Sequence, residues 1–420
     1  MKIVIPASGS RGDVQPYIAL GGGLKAAGHH VRLVTSDDFE TLVREAGLEF
    51  RSIGISVEQM LHDPAWRSTV ESGSFIKIAA RMRSEMRSKA RELARLQSTF
   101  YDDVDLIVGG MGGLGGAFSI AEKFGLPMIQ AYVFPLTPTR TFASPLLPRS
   151  LPIGLLNRLS YHVMRQMLWM TTNATDAETR RSLGLPSTSI LGPFGVLKRR
   201  RVPVIYGYSR HVLPRPDDWD DRTQIAGYWF LDAPADWQPP ADLTTFLQAG
   251  SPSVYVGFGS MGSEKPEQTT RLLLDALART GQRAVLASGW GGLSQMDLPE
   301  NIYMLSSVPH QWLFPRMAAI VHHGGAGTTA AVMRAGVPSL IVPHFGDQAF
   351  WGQRVAALGV GPAPIPRRQL TAERLAESLE RMIADTTLRQ RAADLGERIR
   401  SEDGIGRAVE LIERWGSAQA

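Results

Sequence analysis

The sequence contains no cysteine, so disulfide bonds, thiolate metal sites and cysteine nucleophiles are excluded together. It also has no uninterrupted apolar stretch long enough to span a bilayer, and we therefore expect no integral membrane segment. The first residues run from a short apolar strand directly into a Gly/Ser loop, which is not typical of a signal peptide. These features predict a cytoplasmic protein.

Neither sign of charge dominates the sequence. The net charge is +5 over 420 residues and the arginines are widely spread, so no nucleic-acid partner is indicated. Two segments, 198–201 and 77–95, are locally rich in Lys and Arg. We expect both to be solvated surface, where these residues are usually found. The second segment also has apolar residues at partly helical spacing, so a weak peripheral membrane contact stays open.

Short aliphatic runs alternate with helical patterns in both halves of the chain. KIVIPAS is followed by a predicted helix from Pro16 to Ala27 and by the strand HVRLVTS, and the series continues to PVIYGYS. A segment rich in Pro, Asp and Trp interrupts it, after which five more strands follow. This alternation predicts an α/β protein with two doubly wound, Rossmann-like domains that face each other across a cleft.

The length of the chain also favours two domains. The predicted division is a first domain at 1–212, a linker at 213–222, a second domain at 223–400, and a C-terminal helix at 401–420 that packs back on the first domain.

A glycine-rich loop follows one strand of the second half. The strand AIVHH ends at His322 and His323, and Gly324, Gly325 and Gly327 precede a helix that we expect to start near Thr328. Glycines allow close backbone approach to an anion, and the free N–H groups of a helix start bind phosphate. The loop therefore predicts a diphosphate cradle, with a histidine beside it as a donor. A simple tight turn is the alternative.

The next strand ends in HFGDQ, beside the predicted cradle at the same edge of a parallel sheet. Asp347 and Gln348 offer acceptors and donors at neighbouring positions, an arrangement that suits the vicinal hydroxyls of a sugar. A sugar next to a diphosphate would satisfy both segments.

The segment 319–355 resembles the donor-binding signature of family 1 glycosyltransferases of the GT-B fold, in the microbial macrolide, glycopeptide and sterol glucosyltransferase group. Two further segments, GSRGDVQPYIALGGGLKAAGH at 9–29 and VPHQWLFPRM at 308–317, extend the resemblance over nearly the whole chain. It implies an inverting, metal-independent transferase without a cofactor. The expected reaction moves glucose from UDP-glucose, the co-substrate, to a hydroxyl of a hydrophobic acceptor such as a sterol or a polycyclic natural product.

Transfer of a TDP-deoxysugar to a macrolide or glycopeptide antibiotic is the alternative within this group. The resemblance also implies donor-binding roles residue by residue. Contact with the diphosphate is expected from Ser260, His322, Gly324, Gly325, Gly327 and Thr328. Asp347 and Gln348 would bind the sugar, and Val308 would meet the uracil through its backbone. Plant members have a Trp where Ser307 stands, and Trp290 is the candidate replacement for base stacking.

Inverting transfer requires a base that takes the proton of the attacking hydroxyl. Asp13 matches the aspartate that serves as base in the microbial group, whereas the loop SGSRGDVQP lacks the histidine of plant members. Ser10 is expected to position this base or the acceptor. The alternative for Asp13 is a helix cap.

The acceptor pocket is expected on the first domain, and its apolar lining does not identify the acceptor. Candidate residues for it are Met82, Met86, Phe134, Phe142, Met164 and Met167.

Two other enzyme classes fit poorly. A dehydrogenase would need an acidic residue at the end of the strand after G-x-G-x-x-G, and neither copy, at 257–262 or 110–115, has one. The Asp103-Val-Asp105 triplet has the spacing of a metal-binding pair, but it enters a strand, whereas ligands lie at carboxyl ends. No metal site is predicted.

Overall fold

A computed structural model of the chain describes residues 1–72, 74–97, 99–110, 113–147, 149–234, 236–259, 266–289 and 298–417. Two separate parallel sheets form the framework. The first has the order β3-β2-β1-β4-β5-β6-β7, made of β1 (Lys2–Pro6), β2 (His30–Thr35), β3 (Glu49–Ser52), β4 (Leu106–Gly109), β5 (Met128–Tyr132), β6 (Val204–Tyr206) and β7 (Thr223–Ile225). The second has the order β10-β9-β8-β11-β12, made of β8 (Val254–Gly257), β9 (Ala284–Ala287), β10 (Ile302–Leu305), β11 (Ala319–His322) and β12 (Ser339–Ile341).

Helices connect the strands and cover both sheets. Those that precede β8 are α1 (Arg11–Ala26), α2 (Glu40–Glu45), α3 (Val57–His62), α4 (Pro64–Glu71), α5 (Phe75–Gln97), α6 (Leu114–Phe124), α7 (Gly154–Ser182), α8 (Phe194–Arg199) and α9 (Ala241–Gln248). Those that follow β8 are α10 (Pro266–Thr280), α11 (His310–Leu313), α12 (Ala326–Ala335), α13 (Gln348–Leu358), α14 (Ala372–Ala384), α15 (Thr386–Arg400) and α16 (Gly404–Ser417). Central strands such as β4 and β5 are buried throughout, as parallel strands with helices on both faces must be.

Helix α1 starts five residues earlier than the predicted start at Pro16. Ser10 is its N-cap residue and Arg11 its first residue. Pro16 lies inside the helix, where it cannot donate to the carbonyl of Gly12. The prediction treated proline as the start of the helix. Here the proline lies in the second turn, and the helix begins before it.

The predicted linker at 213–222 connects two strands of one sheet. Thr223–Ile225 forms β7, which pairs in parallel with β6. The first sheet therefore extends beyond the predicted boundary, and the chain passes to the second sheet after Ile225. A three-residue strand that follows a Pro/Asp-rich segment gives too little alternation to be recognised in the sequence.

The last helix, α16, lies in the core of the first domain. Leu411, Ile412 and Trp415 are buried there with residues of β1 and α1. A Cβ on Gly23 would come within 2.2 Å of Ile405, so α1 needs a glycine where α16 crosses it.

Two groups of contacts connect the domains. Aromatic residues of the first domain, including Phe142 and Tyr208, share one hydrophobic cluster with Phe350 and Trp351 of α13. On the other side, the helices α3 to α5 reach the second domain, where Trp66 is buried in the core around β8. No helix in the described ranges is long and apolar enough to cross a membrane.

Candidate active site

The candidate site is a cleft of about 1370 Å³ between the two sheets. Its walls are the loops after β1, β8, β9, β10, β11 and β12, together with α3 to α5. These loops lie at carboxyl ends of strands, where doubly wound sheets bind ligands. A typical small-molecule pocket has about 300–1,000 Å³, so this cleft has room for two substrates.

The starts of two helices meet across the cleft. Gly12 is in the first turn of α1, and Gly327 is in the first turn of α12. A Cβ on Gly327 would lie 3.3 Å from the Cα of Gly12. The two backbones are therefore nearly in contact. The N-terminal groups of both helices thus face the same part of the cleft.

The loop before α12 has the geometry of an anion cradle. Gly324 has φ +92°, a conformation that favours glycine, and a Cβ there would come within 2.5 Å of Ile341. Gly325 is the N-cap of α12, and Gly325, Gly327 and Thr328 line the cleft. The helix starts at Ala326, two residues before the predicted start. Its first N–H groups can bind a diphosphate together with the helix dipole.

His322 supports the cradle from behind. The side chain is fully buried, and its Nδ1 accepts a hydrogen bond from the Gly324 N–H at 3.1 Å. Nε2 therefore carries the proton, and this buried atom has no partner among the described residues. Burial lowers the pKa of His322 well below its ordinary value, with smaller contributions from His323 and His310. His322 is therefore a neutral donor buried behind the cradle, and it is not among the residues that line the cleft.

His323, which the sequence analysis did not assign, lines the cleft itself. Its ring packs between Gly259 and Gly325, where a Cβ on Gly325 would lie 2.6 Å from Nε2. Burial lowers the pKa of His323 to about 3, with help from His344 and His310. Both histidines of the HHGG motif are therefore neutral, and they offer hydrogen bonds rather than charge.

Asp347 and Gln348 stand at the start of α13 and line the cleft beside the cradle. The Trp351 Nε1–H donates to Asp347 Oδ2 at 2.7 Å. Gln348 Oε1 accepts the N–H groups of His344 at 2.7 Å and Phe345 at 3.1 Å, so this amide stabilises the turn. Burial raises the pKa of Asp347 to about 7; the Trp351 hydrogen bond opposes this, and the charge of Asp13 adds to it.

Asp13 is the third residue of α1 and lines the opposite wall. Its Oδ2 accepts the Ser10 N–H at 2.8 Å and the Ser10 Oγ–H at 2.9 Å. Gly9 has φ +139°, and a Cβ there would lie 2.5 Å from the same oxygen. Burial raises the pKa of Asp13, and the Ser10 hydrogen bonds oppose that increase. Ser10 and Asp13 thus cap the helix, while Oδ1 has no hydrogen bond to a described residue and can accept a substrate proton.

Arg11 adds a positive charge that the sequence analysis missed. It is the first residue of α1 and lines the cleft. It lies near His310, whose pKa falls to about 4 through burial and through the charge of Arg11. A cation at a helix N-terminus is unfavourable to the helix dipole, so its presence beside a glycine loop was a signal for an anionic ligand.

Apolar side chains of α3 to α5 form part of the cleft wall. Met82, one of the acceptor candidates, lines the cleft together with Met60, Trp66 and Ile78 from the same helices. The other acceptor candidates do not line it. Phe142 and Met164 are buried in the interdomain cluster, Phe134 packs beside that cluster, and Met86 and Met167 are partly buried elsewhere. Hydrophobic character in the first domain does not distinguish core from pocket, because both bury apolar side chains.

Val308, which is expected to meet the uracil, lines the cleft after β10. Ser260 and Trp290 lie outside the described residues. The Asp103-Val-Asp105 triplet lies at the amino end of the first sheet, opposite the cleft. There Asp103 and Asp105 contact Lys2 at the start of β1. The triplet is therefore remote from the cleft.

Comparisons with known proteins identify the class. The glycosyltransferase family 28 N-terminal domain matches residues 3–143, and the erythromycin biosynthesis protein CIII-like C-terminal domain matches residues 271–406. The calicheamicin glycosyltransferase CalG4 has the same fold, with a TM-score of 0.67 and 20% identity over 100% of this chain and 99% of that chain. The glycosyltransferase VinC, solved in complex with DTDP, has a TM-score of 0.66 and 20% identity over the full length of both chains. The protein is a GT-B glycosyltransferase in fold, as predicted.

Sequence relatives identify the family within that class. Sterol 3-beta-glucosyltransferase UGT80B1 of Arabidopsis thaliana is 35% identical over 99% of this chain and 68% of its own length. The sterol 3-beta-glucosyltransferase of Pichia angusta is 36% identical over 96% of this chain. The chain belongs to the sterol 3-beta-glucosyltransferase family. It spans 65% of a second Arabidopsis relative, UGT80A2, and 33% of the Pichia protein.

Proposed function

We propose that the chain is an inverting glucosyltransferase that moves glucose from UDP-glucose to the hydroxyl of a sterol or a similarly flat polycyclic acceptor. The observation that carries this proposal is the contact of two helix starts across the cleft. Asp13 lies on one side of that contact and the α12 cradle on the other. A base and a leaving-group site on opposite walls are what inversion requires.

In the proposed reaction the acceptor oxygen attacks the anomeric carbon while Asp13 takes its proton. The bond from that carbon to the diphosphate oxygen breaks, and UDP leaves with the electron pair. The N–H groups of α12 would stabilise the departing charge, and the guanidinium of Arg11 and the neutral Nε2–H of His322 would add donors. Asp347 and Gln348 would hold the sugar hydroxyls, and Val308 the base.

The relatives support a sterol acceptor, because eight plant and fungal relatives at 34–36% identity are named sterol 3-beta-glucosyltransferases. The apolar wall of Met60, Trp66, Ile78 and Met82 is suited to such a molecule. A nucleotide sugar is doubly charged and does not cross a bilayer unaided. We therefore place the reaction in the cytoplasm, where nucleotides are made.

The test is turnover of the purified chain with UDP-glucose or TDP-glucose, read by mass spectrometry as the gain of one hexose. The acceptors are a 3β-hydroxysterol, the matching 3-oxosteroid as a control without a nucleophile, and a macrolide aglycone. We expect transfer from UDP-glucose to the hydroxysterol alone, with a β-linked product by NMR. Transfer only to the macrolide, or only from TDP-glucose, would overturn the proposal in favour of the antibiotic-type alternative.

A further inference from the structure

One face of α7 presents apolar side chains to solvent. Leu155, Leu159 and Val163 follow one another at four-residue spacing and are 63%, 54% and 53% exposed. Side chains at this spacing lie on one face of a helix. Ile153, the N-cap residue, is 57% exposed at the start of the same row. Single exposed apolar residues are ordinary, whereas a continuous row indicates an interaction surface.

The loop before α8 extends this row. Gln166 lies about one helical turn after Val163. Its Nε2 donates a hydrogen bond to the carbonyl of Ile190 at 3.0 Å, so the loop lies against α7. Ile190 and Leu191 are 83% and 69% exposed. We call the following six residues the α7 stripe: Ile153, Leu155, Leu159, Val163, Ile190 and Leu191.

Positive charges border the α7 stripe. His162 lies between Leu159 and Val163 in the sequence. Burial lowers the pKa of His162, and the nearby charges of Arg165, Arg158 and Lys198 lower it further. Lys198 and Arg199, at the end of α8, have no ion-pair partner in the part of the chain that the structure describes. Exposed apolar side chains flanked by Lys and Arg are typical of helices that lie in a membrane interface.

The basic helix α5, which the sequence analysis considered for such a contact, directs Ile78 and Met82 towards the cleft and the second domain. Ile78 and Met82 pack against the core of the second domain. The inner face of α7 is likewise buried, through Tyr161, Met164 and Trp169. Of these two helices, α7 is therefore the one whose described residues leave a continuous apolar row open to a partner.

We propose that the α7 stripe docks the protein on an anionic lipid bilayer. The cationic border complements acidic headgroups, and the aliphatic side chains can enter the interface between headgroups and acyl chains. A two-fold dimer through the same face would bring Arg158, Lys198 and Arg199 of one copy towards those of the other, which opposes that occupant. Docking needs no glucosyl transfer, so it can be tested apart from the proposed function.

The test uses the full chain and sedimentation with two kinds of vesicle, phosphatidylcholine alone and phosphatidylcholine with phosphatidylserine. We expect binding to the anionic vesicles that weakens with salt. Leu155→Gln with Leu159→Gln should lower the partition coefficient at least about tenfold. Lys198→Glu with Arg199→Glu should remove the preference for phosphatidylserine. The control is Ile76→Gln, at a still more exposed apolar residue on α5, and this variant should bind like the parent chain.

Melting temperatures should stay close to that of the parent, because all the substituted side chains are exposed. The proposal would be overturned if the parent protein bound neither kind of vesicle. It would also be overturned if Ile76→Gln lost binding while the α7 variants kept it, since α5 would then be the docking helix. A dimer in solution that the leucine substitutions convert to a monomer would assign the stripe to a second copy instead.

Discussion

Asp13 combines a capping role with the proposed role of base, and one substitution separates them. Asp13→Asn keeps an oxygen that can accept the Ser10 hydrogen bonds, and Asn caps helices about as well as Asp. It removes basicity, however, so turnover should fall at least about a hundredfold. The measurement is kcat with UDP-glucose and a sterol, alongside the melting temperature of the same preparation. Near-parental turnover would remove Asp13 from the mechanism.

Asp347 should make stability depend on pH. Its folded pKa of about 7 lies above the unfolded value, so the protein binds this proton more tightly when folded. The associated stability is full below about pH 4 and is lost as the pH rises through 7. Asp347→Asn keeps an acceptor for Trp351 and removes the charge. Thermal unfolding at pH 5 and pH 8 should therefore differ less in this variant than in the parent; equal pH dependence would contradict the assignment.

His322 offers a matched pair of substitutions. Asn can replace Nδ1 as the acceptor of the Gly324 N–H, but it does not reach the position of Nε2. His322→Asn should therefore preserve the loop and weaken UDP binding by about 1–3 kcal/mol, the contribution of a hydrogen bond to a charged group. His322→Ala should lose both the loop contact and the donor. Calorimetry that finds unchanged UDP affinity in the Asn variant would exclude the Nε2–H as a ligand donor.

Among the helices, the start of α12 is expected to stabilise the charge of the leaving diphosphate. In other transferases a divalent cation has this role. The positive end of this ten-residue helix and the charge of Arg11 both lie at the cleft. We therefore expect turnover to survive EDTA. The control is the same assay with added magnesium or manganese, which should change the rate little. Complete loss in EDTA, with recovery on addition of either metal, would contradict this expectation.

The elements with strong local signals were predictable and those that depend on tertiary packing were not. The glycines after β11 indicated the cradle because only a few backbone conformations suit such a sequence, and the helix start was misplaced by two residues. β7 was missed because three residues carry no periodicity. Most residues of the proposed acceptor wall were not predicted, since Met82 and Met164 are alike in sequence and only the packing of α5 against the second domain distinguishes them.

For the whole molecule, the shared hydrophobic cluster should couple the two domains. Phe142 of the first domain and Phe350 of the second are 6.3 Å apart between ring centroids, within a core to which both domains contribute. Interfaces of this kind restrict independent domain motion. Calorimetry should therefore record one unfolding transition, and Phe350→Ala should shift it as a whole to lower temperature. Two separate transitions, with only one moved by the substitution, would show that the domains unfold independently.

The contact between Gly12 and Gly327 limits how such an enzyme can change its specificity. A side chain at Gly327 would displace the opposite helix start, because its Cβ would lie 3.3 Å from the Cα of Gly12, whereas a Cβ on Gly12 would meet only the Ser10 Oγ at 3.9 Å. The close approach of the two helix starts thus depends on the absence of a side chain at Gly327. Engineering for a bulkier acceptor then has to act further along the cleft, at residues such as Met60, Trp66 and Met82. There a smaller side chain adds volume and leaves the reacting groups where they are.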